Sequence, residues 1–388
     1  MSGIVLSAAV RQNLLSLQST AELLSTTQNR LASGKKVNTA LDNPTNFFTA
    51  QGLDNRASDI NNLLDAIGNG VQVLQAANTG ITSLQKLVDT ARSIANQVLQ
   101  TTVGYSPKST VSSSAALGGT AANLVDGVTI KVGDVLTIAS TGGGTPTSIT
   151  FGANESLDQL NAALGPNNLS AGLDANNKLV ITTLNDAASK TIGAVTYTNS
   201  GGGTVTFGAV NPPIADVNSQ VTRANLVAQY NNIIAQITTT SQDASFNGIN
   251  LLNGDDLKLT FNETGKSTLN IRGVTYDAAG LGLAPLTAGT DFLDNDSAKA
   301  VIAKISLASD VLRSEASSLG SNLSIVQIRQ DFSKNLIIVL QTGSANLTLA
   351  DSNEEAANSQ ALSTRQSIAV SALALSNQSQ QSVLKLLQ

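Results

Sequence analysis

The chain has 388 residues, no Cys and no His, 13% charged and 3% aromatic residues, and a net charge of -5. Without Cys there are no disulfides, thiol nucleophiles or thiolate metal sites. Without His there is no zinc-hydrolase motif, histidine triad or ordinary general base. The mild acidity and the lack of clustered Lys/Arg with interleaved aromatics speak against nucleic acid. Ala, Ser, Thr, Asn, Gln and Leu dominate, which favours broad contact surfaces over a single aromatic anchor.

Val10, Leu14, Leu17, Ala21, Leu24, Gln28 and Leu31 recur at alternating steps of four and three. That spacing predicts a helix with a coiled-coil seam. Breaks follow at Ser33-Gly34 and Asn43-Pro44, because proline restricts the residue before it. A second, longer helix carries Ile60, Leu63, Ile67, Val71, Leu74, Ile81, Leu84, Val88, Ala91, Ala95 and Val98 on one face. At ~1.5 Å per residue this stripe makes a rod of roughly 60 Å. Gly68, Gly70 and Gly80 each weaken it by up to ~1 kcal/mol relative to Ala, so neighbours must offset the loss. No run reaches the ~18 apolar residues of a membrane span. Ile4 to Val10 is too short and mixed for a cleavable signal, and Arg11 follows it.

Five of the seven prolines fall between Pro107 and Pro213, where Gly, Thr and Val are abundant. Strand-like alternation is expected at Val128-Ile130-Val132, Leu136-Ile138, Ile149-Phe151, Leu179-Ile181, Val195-Tyr197 and Val205-Phe207. Gly142 to Gly144 and Gly201 to Gly203 read as turns, and Glu155 to Leu164 as a short helix. Residues 105–215 are thus expected to be a β-rich insert.

Helix returns over Val217 to Thr240, with Val221, Leu226, Tyr230, Ile233, Ile234 and Ile237. It ends in a turn at Phe246-Asn247-Gly248. Leu257, Leu259 and Phe261, then Leu269, Ile271 and Val274, flank Gly265 and predict a β-hairpin. A helix opens between Asp294 and Ser297 and runs to about Gln341, with an interruption at Gly343 and Asn346. The last helix covers about Asp351 to Gln388. Its stripe is Ile368, Ala372, Leu375, Ser379, Ser382 and Leu386, again at 4-3 spacing. The fold class is mainly α, with a long helical core formed by both chain termini, a β-hairpin (about 250–286) and the inserted β-rich domain. Both seams lie at chain ends, which fray unless something holds them. They are expected to pair with each other or with other copies.

Several weaker signals have plain structural readings. Glu354-Glu355 favours the first turn of the last helix through its dipole. Asp255-Asp256 lacks the ligand spacing of a calcium loop. Gly280-Leu281-Gly282 lacks the third Gly and the strand-to-helix context of a nucleotide fingerprint.

The stretches LASGKKVNTALDNPTNFFTAQGLDNRASDI (Leu31 to Ile60), Phe246-Asn247-Gly248-Ile249-Asn250-Leu251-Leu252, and Asn346 to Gln388 resemble bacterial flagellin, the last of them flagellins of the α-proteobacterial type. The resemblance covers both terminal thirds and the returning helix. It implies a non-enzymatic subunit of the extracellular flagellar filament, without cofactor or metal, secreted by type III export. It divides the chain into an inner terminal coiled coil (1–42 with 353–388), a helical shell bearing the hairpin (43–104 with 216–352) and the outer domain (105–215). The implied partners are further copies of the chain, other flagellins, junction and cap proteins and a C-terminal export chaperone, with no nucleic acid or membrane. A hook–filament junction protein is the nearest alternative, and a surface adhesin or carbohydrate-binding protein acting through the insert is a more distant one. Leu84 to Ala91 also aligns with the helix that innate receptors detect in enteric flagellins. Here Gln85, Lys86, Asp89 and Thr90 make a degenerate version with Lys in place of an arginine. Lys lacks the planar guanidinium fork, so weak or absent receptor activation is expected.

Overall fold

A computed structural model describes residues 8–386, and of residues 380 and 383–386 it describes the backbone alone. Among the described residues there are six α-helices: α1 (Ala8–Ser33), α2 (Pro44–Gln100), α3 (Leu157–Leu164), α4 (Val217–Asp243), α5 (Asn295–Thr348) and α6 (Ser352–Leu386). Eight short strands lie between α2 and α5: β1 (Thr110–Ser112), β2 (Val135–Ile138), β3 (Thr147–Thr150), β4 (Leu169–Leu173), β5 (Leu179–Thr183), β6 (Val195–Thr198), β7 (Leu257–Thr260) and β8 (Thr268–Ile271). The chain divides into two compact units.

The first unit takes the chain up to Gly70, Lys258–Leu269, and everything from Ile325. Ala57 and Ile60 of α2 pack on Ile337 and Leu340 of α5, flanked by Leu53, Leu64 and Leu336. The hairpin tip is tied to both helices. Arg56 meets Glu263 at 2.7 Å, while Arg329 lies 5.5 Å from the Phe261 ring centroid. A β-carbon on Gly70 would stand 2.4 Å from Leu259 Cδ2, so that glycine lets the hairpin seat on α2. Gly68 has no such duty, since a β-carbon there would lie 3.9 Å from Gln330 Nε2. α5 runs without interruption through Gly343 and Asn346 to Thr348. The expected break is absent there. Gly343 faces Leu53 Cδ1 at 3.3 Å from its missing β-carbon, so its small size serves packing between helices.

The second unit comprises Val71–Leu257 and Asn270–Ser324. The predicted α2 stripe is buried from Val71 through Leu74, Ile81, Leu84, Val88, Ala91 and Ala95 to Val98. α4 buries Leu226, Val227, Tyr230, Ile234 and Ile237, whereas Val221 is exposed. α5 buries Val301, Ile305, Ala308, Leu312 and Leu319.

Within the same unit, residues 105–215 build two antiparallel three-stranded sheets, ordered β1-β5-β4 and β3-β2-β6. Leu136 opposes both Ile149 and Tyr197, and Val111 opposes Ile181. One apolar core of this segment includes Leu124, Ile130, Leu136, Ile138, Phe151, Leu160 and Leu164. Ser156 caps α3 with a full capping box to Gln159. Val128-Ile130-Val132 is not a strand. Asp126 takes the Val128, Thr129 and Ile130 amides onto its carboxylate, which holds that stretch as a turn with Val128 and Val132 exposed. Val205-Phe207 likewise contributes only an isolated bridge, Ser113 to Phe207. β1 and β4 had no clear alternation to mark them: Thr110 to Ser112 is short, and β4 contains Ser170, Ala171 and Gly172.

Candidate functional site

α1 and α6 run antiparallel. Arg30 near the end of α1 meets Glu355 at the start of α6 at 3.3 Å. Each charge sits at the helix end whose dipole favours it. Asp351 caps α6, accepting from the Asn353 amide at 2.9 Å and the Glu354 amide at 3.4 Å. Below the pair, the Lys36 amide donates to Thr348 O at 2.8 Å and the Ala350 amide to Gly34 O at 3.0 Å. Asp42 accepts from the Thr39 and Asn38 amides, and these bonds hold its carboxyl below the usual range. The turn between α1 and α2 is thus fixed by backbone bonds and by one carboxylate.

The face through which α1 is covered is Val10, Asn13, Leu17, Thr20, Leu24 and Thr27, all buried or half-buried. On α6 the half-buried or buried positions are Glu355, Ser359, Leu362, Gln366, Ala369, Leu373 and Ser376. Both sets follow the 3-4 rhythm, so the predicted helix pairing is present. The stripes that meet within the chain are different from those expected. On α1, Val10, Leu17 and Leu24 are shared and Ala21 lies half-buried at the edge, but Leu14, Gln28 and Leu31 are exposed. On α6, Ile368, Ala372, Leu375, Ser379 and Ser382 each precede or fall off the covered face and are exposed. One residue's offset turns a helical position by about 100°. The Leu386 side chain lies outside the described residues.

The joined face is rich in polar residues. Asn13, Thr20 and Thr27 lie on the α1 side, and Ser359, Gln366 and Ser376 on the α6 side. Thr20 satisfies its hydroxyl on Ser16 O at 2.8 Å, and Glu355 on Arg30. The large apolar residues are left outside: Leu14, Leu15, Leu23 and Leu31 on α1, and Ile368, Val370 and Leu375 on α6, from 37% to 67% exposed. Burying what remains of each is worth about 1 kcal/mol, so the set offers several kcal/mol to whatever covers it. Leu14 and Leu23 lie about half a turn apart round α1, as do Ile368 and Val370 on α6, so exposed apolar side chains occur on more than one side of each helix. Sequence periodicity located the apolar residues but could not say which stripe the chain covers by itself.

In the second unit, Gln85 is half-buried, and Lys86, Asp89 and Thr90 are exposed on α2. Thr90 turns its hydroxyl back to Lys86 O at 2.8 Å. Sequence reasoning passed over Arg223, which is fully buried on α4. It donates to Thr102 O (2.7 Å), Phe292 O (2.5 Å), Val98 O and Thr101 O (both 3.1 Å), and Asn295 Oδ1 (3.4 Å). A cation is thereby placed over the C-terminal carbonyls of α2, where the dipole favours it. Burial pushes its pKa down and nearby Asp294 pushes it up. An arginine among apolar residues at helical spacing was the available signal. Asp294 in turn caps α5 through the Ser297 amide (3.0 Å) and accepts from Ser189 of the insert (2.5 Å).

Among the described residues, no group of three or more His, Cys, Asp or Glu side chains could hold a metal ion. Among the same residues, no helix is long and apolar enough to cross a membrane.

The bacterial flagellin N-terminal helical region matches residues 5–125, and the bacterial flagellin C-terminal helical region matches residues 302–387. The chain is 33% identical over 163 residues to flagellin FljM of Caulobacter vibrioides, covering 42% of this chain and 58% of that protein. It is 32% identical to flagellin FljK of the same organism over the same shares. Flagellin A of Rhizobium meliloti is 38% identical over 87 residues, 22% of each chain. The matched stretch spans 58% of the length of the Caulobacter relatives.

Proposed function

This chain belongs to the bacterial flagellin family, and from that premise we propose that it is a structural subunit that polymerises into the flagellar filament. The observation that carries the reading is the outward apolar surface of the terminal helix pair. A single molecule leaves Leu14, Leu31, Ile368 and Leu375 in water, while further copies arranged around a common axis bury them. A head-to-tail contact that does not close generates an open helical polymer. The self-assembly residues are then Val10, Leu14, Leu17, Ala21, Leu24 and Leu31 with Ile368, Ala372, Leu375 and Leu386, divided between contacts inside one chain and contacts between copies.

In this reading residues 1–42 with 353–388 form the inner layer of the filament, 43–104 with 216–352 the surrounding helical shell, and 105–215 the outward domain. The work is mechanical and uses no cofactor or catalytic group. The site of action is extracellular, reached by type III export, with other flagellins, junction and cap proteins and a C-terminal chaperone as partners. The exposed Lys86, Asp89 and Thr90 give weak innate-receptor activation, since Lys86 lacks the fork of an arginine.

The test is a triple substitution, Leu14→Asp, Ile368→Asp and Leu375→Asp, in the full chain. The expected result is unchanged helicity by circular dichroism with loss of filaments by negative-stain microscopy. Filaments of normal length from that variant would overturn the assignment.

A further inference from the structure

The chain contains three Asn-Gly pairs: Asn69-Gly70, Asn247-Gly248 and Asn253-Gly254. We propose that Asn247 is a site of spontaneous deamidation, with water as co-reactant, and that the fold singles it out from the other two.

The chemistry requires the amide nitrogen that follows the asparagine to be free. That nitrogen gives up its proton to solvent base and attacks the Asn Cγ. A C–N bond forms, the Cγ–Nδ2 bond breaks, and Nδ2 leaves as ammonia. Water then adds across one of the two imide C–N bonds of the five-membered ring. The product is aspartate or, when the other bond opens, isoaspartate. No oxidant, metal or enzyme is needed.

At Asn247-Gly248 the structure meets these needs. The pair forms the tip of a tight turn, with φ of 50° and 79°. The turn is closed by Phe246 and Ile249, whose amides donate to each other's carbonyls at 3.0 and 3.1 Å. Both tip residues are exposed. The Gly248 amide donates no hydrogen bond, and nothing stands within 4 Å of the place its β-carbon would take. Opening this tip breaks two bonds at the surface and disturbs no core, so local opening is cheap.

The other two pairs are restrained. Gly70 lies inside α2, where its amide is committed to the carbonyl four residues back, and it is buried against Leu259. The Gly254 amide that follows Asn253 donates no hydrogen bond either, but Asn253 is tied on both sides, its own amide to Asn250 O at 3.1 Å and its backbone to Thr275 through an antiparallel bridge, so this turn opens less readily than the Asn247 tip. Gly254 is crowded by Thr275 Oγ1, 3.3 Å from its absent β-carbon. The expected order of rates is therefore Asn247, then Asn253, then Asn69.

Reaction at Asn247 adds a carboxylate to the connection between α4 and β7, which already carries Asp255 and Asp256 and follows Asp243 at the end of α4. Isoaspartate also lengthens the main chain by one carbon, which the reciprocal Phe246–Ile249 bonds cannot both accommodate. The mark accumulates with the age of the folded molecule.

The experiment incubates the full chain in mildly alkaline buffer made with heavy-oxygen water, folded and in urea, and follows each site by peptide mass spectrometry. Isoaspartate is separated from aspartate chromatographically. In the folded protein, Asn247 should take up heavy oxygen at least ~tenfold faster than Asn69, since a held amide hydrogen bond of roughly 1.4 kcal/mol corresponds to that factor. In urea the three sites should converge. Equal rates at Asn247 and Asn69 in the folded chain, faster reaction at Asn253, or reaction at Asn247 in urea alone would each refute the proposal.

Discussion

Replacing Arg223 with Met tests whether one buried guanidinium secures the junction between α2, α4 and the segment leading into α5. Met keeps most of the aliphatic stem, so the loss is chiefly of hydrogen bonds. Val98 O retains the Thr101 amide at 3.2 Å. Thr101 O, Thr102 O and Phe292 O lose the guanidinium donors that reach them at 3.1, 2.7 and 2.5 Å. A buried acceptor left without a donor costs about 1–3 kcal/mol. Relief of the cation's own desolvation offsets part of this, leaving a net loss of about 3 kcal/mol. The chain has no Trp and four Tyr, so tyrosine emission follows unfolding, with one of the four beside the site. Tyr230 stacks edge-on to Phe292 with ring centroids 6.0 Å apart. Urea unfolding followed by tyrosine fluorescence should shift to lower denaturant, and hydrogen exchange should accelerate in the last turn of α2 and around Phe292. Arg223→Lys should recover less than half, because three donors cannot span this set of acceptors. A change below about 0.5 kcal/mol, the range of an ordinary surface substitution, with unaltered exchange would show the reasoning to be wrong.

The glycines of α2 give opposite expectations. Gly52→Ala meets nothing within 4 Å and should stabilise the helix by up to ~1 kcal/mol. Gly80→Ala would put a methyl 2.6 Å from both Ala244 Cβ and Leu252 Cδ1, and overpacking of about 1–3 kcal/mol outweighs the propensity gain. Thermal melts of the two variants should move in opposite directions. Acid should act on the insert through Asp126 and Asp134. Burial alone would raise Asp126, but the Thr129 hydroxyl and the Val128, Thr129 and Ile130 amides outweigh it and set its pKa to about 2. Asp134 is also lowered, its burial outweighed by the Lys131, Gly201 and Gly203 amides and the Tyr197 hydroxyl. Because both folded values lie below the unfolded 3.8, their stabilisation is present above that pH and fades as pH falls, for Asp126 through about 2. Amide exchange of residues 126–134 and 197–203 measured down a pH series should show this, and Asp134→Asn, which cannot titrate, should speed exchange already at neutral pH and make the acid dependence shallower. Finally, Glu355→Gln should cost at most about 1 kcal/mol, since Arg30 is partly solvated; circular dichroism against temperature measures it, and a cooperative loss of α6 would contradict the estimate.

Long periodic elements were legible because their signal is repeated. Ten positions of the α2 stripe from Ile60 to Val98 are buried as the spacing required, with Leu63 half-buried. The insert was legible in class but not in register. Its strands have three to five residues, too few for alternation to outvote a single side chain. Asp126 shows how: one carboxylate gathers three consecutive amides and converts an apparent strand at Val128 to Val132 into a turn. The same limitation hid Arg223. A charged residue at a core position reads as an error in an amphipathic pattern until the carbonyls around it are known. Gly343 misled in the other sense, since it looks like a helix break and is instead a contact with Leu53.

The terminal helices expose a limit of a different kind, and it bears on function. Periodicity on α1 supports two neighbouring stripes that share Val10, Leu17 and Leu24. One is completed by Asn13, Thr20 and Thr27, the other by Leu14, Ala21 and Leu31. A self-sufficient helical hairpin should cover the second, since exposed leucines forgo about 1 kcal/mol each and most helical stability in proteins comes from packing an apolar face. This chain covers the first and turns the corresponding stripe of α6 outward as well. The pairing is held instead at its base, by Arg30 to Glu355 and by the Lys36 and Ala350 backbone bonds. Polar residues on a seam weaken it but fix its register. A seam of this kind sets the alignment of the two helices while leaving their strongest apolar groups for neighbours. An arrangement that lowers the stability of the single molecule while raising the gain on association is what a reversible polymer needs from its subunit.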